Sequence, residues 1–203
     1  MKKTLLYILY WIGQCTWGLP MTLIGAIVAL VLLITGHKPK TLGPNVYFEV
    51  GQGWGGLELG GFFLCSKDSS NHTKYHEVGH GLQNLIWGPL FPFVIAIPSA
   101  VRYWLRKMNN QLKKGLFNLF FLLISFILTT GVIILFGLCC HWHWATHAVE
   151  ALRLYFVLLS MWLSVCEIPK YALGYVPYDD IWFECQASKW GYDMLNKKQK
   201  KED

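Results

Sequence analysis

His76-Glu77-Val78-Gly79-His80 is a His-Glu-x-x-His sequence. Residues four apart share one face of a helix, so two imidazoles at this spacing can reach a single ion. A glutamate directly after the first histidine falls beside that ion and can act as general base toward a metal-bound water. The chemistry predicted is zinc-assisted hydrolysis, with His76 and His80 as metal ligands and Glu77 as the catalytic base. The competing reading is two histidines on an ordinary amphipathic helix, so the neighbouring elements have to decide.

Residues 73–87 lack proline, and Gly88-Pro89 supplies a helix stop. Thr73 is expected as N-cap, with His76 in the first turn. Val78, Leu82, Leu85 and Ile86 give an apolar stripe at helical spacing. Upstream, Val46, Phe48 and Val50 alternate with Tyr47 and Glu49, and Leu57, Leu59, Phe62 and Leu64 follow a glycine-rich turn. Residues 45–66 therefore predict two or three short strands, a small sheet beside the metal helix. Residues 91–104 are apolar but broken by Pro92 and Pro98, which suits a membrane-dipping or amphipathic segment. Residues 102–114 read as a basic surface stretch, and 178–197 as an amphipathic helix starting at Asp179 or Asp180 and ending in lysines.

Two histidines need a third protein ligand. Glu184 is the preferred one, because Ala187 and Gly191 follow it and small residues permit close helix approach; Asp180 is the alternative. Tyr178, Tyr192 and His72 are candidate donors to a tetrahedral oxyanion. A second cluster, His141, His143 and His147, alternates with Trp142 and Trp144 at the end of an apolar run, and reads as an interfacial belt in preference to a metal site.

The composition explains where such a site would operate. Apolar and aromatic residues make up 54% of the 203 residues and charged ones only 15%, against roughly 25% charged in soluble domains. Residues 4–35, interrupted by Gly18-Leu19-Pro20, predict a kinked or re-entrant apolar hairpin. Residues 116–140 and 145–168 predict a transmembrane hairpin, with Glu150 and Arg153 paired near one interface. Nearly every Lys and Arg lies outside these runs, and His141 to His147 carries none. The expected arrangement is an integral multi-pass protein of the plasma membrane, one membrane-integrated domain with its site on the cytoplasmic side. The net charge of +6 is then topology charge, and nothing here resembles a nucleic-acid module. Six scattered cysteines without Cys-x-x-Cys spacing are expected to stay reduced.

With a distant helical glutamate, the motif resembles the gluzincin type of zinc metallopeptidase. More closely, the chain resembles a family of small bacterial membrane-associated zincin-like proteins. The shared marks are His76 to His80, Gln83, Gly88-Pro89-Leu90, Pro98-Ser99, and Glu184, Ala187 and Gly191. The Trp17-Gly18-Leu19-Pro20 break and the Gly55 to Gly60 stretch are similar too, whereas 110–170 looks like an insertion. The resemblance implies a mainly α membrane protein with a small β-sheet and a zincin-like pair of active-site helices. It implies Zn2+ held by His76, His80 and Glu184, and a peptide or protein substrate. The alternatives are a non-catalytic interaction or immunity-type membrane protein retaining a metal site, and a non-peptide metal hydrolase.

Overall fold

A computed structural model describes residues 2–108, 110–139, 143–173, 176–177 and 180–195. The chain, read from sequence as one domain, divides into two compact units, 1–97 with 177–203, and 98–176.

The first unit begins with two apolar helices, α1 (Lys2–Cys15) and α2 (Leu19–Ile34), bent by 97° at the break around Gly18. Pro20 sits in the first turn of α2, where its missing N–H costs no helical bond. A sheet of four short strands follows: β1 (Lys40–Leu42), β2 (Asn45–Glu49), β3 (Gly56–Leu59) and β4 (Phe62–Cys65), in the order β1-β2-β4-β3. The extra strand, β1, lies before the segment read as strand. β2 and β4 run parallel, and β3 turns back antiparallel on β4 to form an outer edge.

The register separates two faces. Gly56 pairs with Cys65 and Glu58 with Phe63, placing these residues on one side, while Leu59 and Leu64 lie on the other. Phe63 and Cys65 pack on Val78 of α3 (Asn71–Trp87), whereas Leu59 and Leu64 join Met21 of α2, Phe91 and Ile95. The sheet is thus held between the apolar hairpin and the histidine-bearing helix. Buried polar groups fix the same arrangement. Gln14 Nε2 donates to Gly81 O at 2.9 Å, and its Oε1 accepts from Asn84 Nδ2 at 2.7 Å and Thr22 Oγ1 at 3.0 Å.

Ser70, not Thr73, caps α3: its hydroxyl accepts from Thr73 N at 3.2 Å. The helix therefore starts earlier and His76 lies in its second turn. The last helix of this unit, α8 (Trp182–Met194), also departs from expectation. Its N-cap is Ile181 in extended backbone, and no basic residue occupies its last turn.

In the second unit, α4 (Ile97–Lys107) is amphipathic and α5 (Gln111–Cys139) packs antiparallel on α6 (His143–Trp162). Phe121 meets Phe156, while Asn118 bonds Ser160 and Ser164. A π-helical turn, Leu163–Glu167, leads into α7 (Ile168–Leu173). The 102–114 stretch is not all surface: Arg102 and Lys114 are buried, and Arg102 Nε donates to Glu167 Oε2 at 2.9 Å. The expected Glu150–Arg153 pair forms at 3.5 Å. Among the described residues one helix, His147–Leu173, is long and apolar enough to cross a membrane, or up to three spans if each bent helix pair counts as one. The other expected span, 116–140, lies on α5. Cys140 and several side chains along that helix fall outside the described residues, as do His141 and the side chain of His143.

Candidate metal centre

α3 supplies three of the site residues. His76, Glu77 and His80 are all buried, their turn pressed against α8 on one side and β3 on the other. Close approach is what permits this. A Cβ on Gly79 would collide with the Ala187 carbonyl, and one on Gly191 with the Tyr75 carbonyl. Gly56 plays the same part on the opposite flank, where a Cβ would strike the Glu77 carboxylate.

Glu184 comes from the first turn of α8, where the helix dipole favours a carboxylate. It is fully buried, with Oε2 at 3.0 Å from His76 Nε2 and 3.3 Å from His80 Nε2. One ligand atom from each of the three residues lies within 4.8 Å of the others, a grouping that can hold a metal ion. Asp180 is exposed and outside that group.

The imidazole orientations carry the strongest physical argument. Gln83 Nε2 donates to Phe183 O at 2.8 Å, an acceptor only, which fixes the amide the right way round. Gln83 Oε1 must then accept from His80 Nδ1, at 2.7 Å. With its proton on Nδ1, neutral His80 turns an Nε2 lone pair toward the lone pairs of Glu184. Two lone pairs facing each other in a buried site require a cation between them, either a proton or a metal ion. Ser188 Oγ meets His76 Nδ1 at 2.9 Å and orients the second ring. The donor set, two imidazoles and a carboxylate, fits zinc.

The electrostatics agree. Burial lowers the His80 pKa, but the Glu184 carboxylate overrides it and lifts the group to about 9. Burial likewise pushes Glu184 up, yet His76 and His80 hold it well below the usual carboxylate range. Glu77 is raised by burial and by Glu184, against the opposing pull of the histidines.

His72 and Tyr192, expected as oxyanion donors, are brought together: His72 Nδ1 and Tyr192 Oη are 3.1 Å apart, and the His72 ring lies beside His76. Tyr178 lies outside the described residues. The sequence reading missed Ser188, although it stands four residues after Glu184 on the same helical face. It also missed Glu58, a buried acid on the β3 face turned to α3, whose oxygens find no side-chain donor. Burial raises its pKa well above the usual range. The visible signal was one acid inside Gly-Leu-Glu-Leu-Gly, at an alternating strand position. No protein-family model, curated protein or solved structure matches the chain.

Proposed function

We propose that the protein is a zinc-dependent, membrane-associated metallopeptidase in which His76, His80 and Glu184 hold the metal. The observation that carries this reading is the fixed His80 tautomer, which aims a bare Nε2 at a buried carboxylate. Zinc bound there would acidify a water and polarise a carbonyl. Glu77 takes the proton from the attacking water and returns it to the departing amine, so that no net proton is consumed by the cleavage. A raised pKa suits both halves of that shuttle.

The strand beside the site favours a peptide over other substrates. β3 is an outer edge of the sheet, and at Gly56 its backbone passes directly against Glu77. An extended peptide adding to that edge by main-chain hydrogen bonds would bring its own carbonyls to the base. The hairpin α1–α2 and the helical run 147–173 support a membrane location. The placement of lysines and arginines favours a cytoplasmic site.

The test is zinc content and peptide hydrolysis of the reconstituted full chain. Wild type is expected to bind zinc and cleave peptides. Glu77→Gln should keep the metal and lose activity by about a hundredfold or more, while Glu184→Ala should lose the metal. Unaltered hydrolysis by zinc-loaded Glu77→Gln would falsify the mechanism, and a wild-type protein that takes up no zinc removes the whole reading.

A further inference from the structure

Glu58 is a buried acid that the cleavage step does not use. β3 passes along the turn of α3 that carries Glu77 to Gly81. At the start of the strand Gly56 lies against the Glu77 carboxylate. Just past its end, the Gly60 carbonyl comes to 3.3 Å from the place a Cβ on Gly81 would occupy. Glu58 stands midway between these glycines, and strand alternation turns it to the same face. Its partner across the strand pair is Phe63, which packs with Cys65 and Val78 in an apolar cluster. Glu58 is only 4% exposed, and neither of its oxygens meets a hydrogen-bond partner among the described residues. The Gly60 N–H influences the carboxylate without completing a bond.

A carboxylate in such surroundings costs stability unless a cation answers it. The strand itself has no need of the acid, since a β-branched residue would serve better there. An unanswered acid beside a reaction site points to a ligand that brings the cation. Its position says which ligand. β3 is the outermost strand, so a peptide laid along its free edge has alternate residues level with Gly56 and Glu58, about 6.6 Å apart. A peptide bond held at Gly56 lies beside Glu77. Toward Glu58 the lane is short. The strand stops at Leu59, and the turn beyond is packed on the N-terminal hairpin: a Cβ on Gly60 would strike Thr22, and one on Gly61 the Trp11 ring. A chain running that way ends close to Glu58. A carboxylate there receives an amino terminus and repels a carboxyl terminus.

We propose that Glu58 binds the free α-amino group of a peptide substrate, so that the bonds cut are those close to an amino terminus. The ammonium group donates hydrogen bonds to the Glu58 oxygens, and the β3 backbone holds the residues between the amine and the bond at Glu77. A lysine side chain carries the same ammonium group, but the closed end of the lane fits a chain terminus. The inference rests on the peptidase reading for bond cleavage, whereas recognition of the amine needs no metal.

The experiment uses the full chain purified in a non-ionic detergent, with Glu77→Gln as background so that the probes are not turned over. Tetra-alanine amide with a free amino terminus, its N-acetylated form, and N-acetyl-lysyl-trialanine amide are titrated calorimetrically at pH 7, with and without zinc. The free-amine peptide is expected to bind about 30-fold more tightly than the acetylated one, the worth of one charged hydrogen bond. Adding Glu58→Gln should abolish that preference and leave affinity for the acetylated peptide within about twofold. Equal affinity for the free and acetylated peptides, a preference that survives Glu58→Gln, an acetylated lysyl peptide bound as tightly as the free amine, or no binding of any probe would each overturn the proposal. Zinc content should be the same with and without Glu58→Gln. A chain that takes up no zinc yet keeps the amine preference removes the peptidase reading alone. A zinc-loaded wild type that cleaves free and acetylated peptides equally removes the amine site alone.

Discussion

At the scale of single residues, the candidate metal site is governed by the groups that hold its histidines in place. Gln83 sets the His80 tautomer through a bond that Phe183 O holds in place. Gln83→Leu is therefore expected to lower zinc affinity by about 10–100-fold with the ligands intact, as read by competition with a chelating dye. Proton competition gives a second expectation. His80 is raised from 6.5 to about 9, so the metal-free protein keeps its proton at neutral pH. The stabilisation from the His80–Glu184 pair is full below pH 6.5 and fades as pH rises through about 9. Zinc must displace that proton, so its affinity should climb with pH by about tenfold per unit across that window. Titrations at several pH values check this, and a flat profile would refute it. Glu58 has the same sign at lower pH: its raised pKa means that the protein loses stability as pH rises above the ordinary carboxylate range. Glu58→Gln should consequently melt higher than wild type at neutral pH, with the gain vanishing near pH 4.5.

Among the elements, the contact of α3 with α8 matters most, because it depends on the absence of side chains at Gly79 and Gly191. Gly79→Val should force the helices apart and cost about 1–3 kcal/mol, seen as a lower melting temperature together with loss of zinc. The pairing of these helices was legible in sequence, since the i, i+4 histidines and the Glu184, Ala187, Gly191 series each mark one helical face. Their starts were not. Ser70 and Thr73 are both competent caps, and only the packed chain shows which hydroxyl meets a backbone N–H. Strand β1 escaped because three residues, Lys40 to Leu42, are too short to show alternation. The parallel pairing of β2 with β4 was equally hidden, because sequence order alone does not reveal that β3 lies outside them.

For the whole molecule, metal binding at the candidate site would be linked to folding of the first unit, because the three groups come from α3 and α8, which the second unit separates in sequence. A ligand that binds only the folded state stabilises it by about 2.7 kcal/mol at a hundred times its dissociation constant. Zinc should therefore raise the melting temperature of the wild type and leave Glu184→Ala unchanged; equal shifts in both would mean binding elsewhere. Composition made the apolar runs readable, but the Arg102–Glu167 pair was not, since its partners are 65 residues apart. A similar separation has a consequence for how the chain is made. His76 bonds to Ser188 across 112 residues, and residues 98–176 are translated between them. The face of α3 that bears His76, Glu77, His80 and Gln83 thus leaves the ribosome long before the helix that covers it. During that interval the nascent chain has the motif but no third ligand. The three groups that could hold a metal ion therefore come together only once α8 has been synthesised.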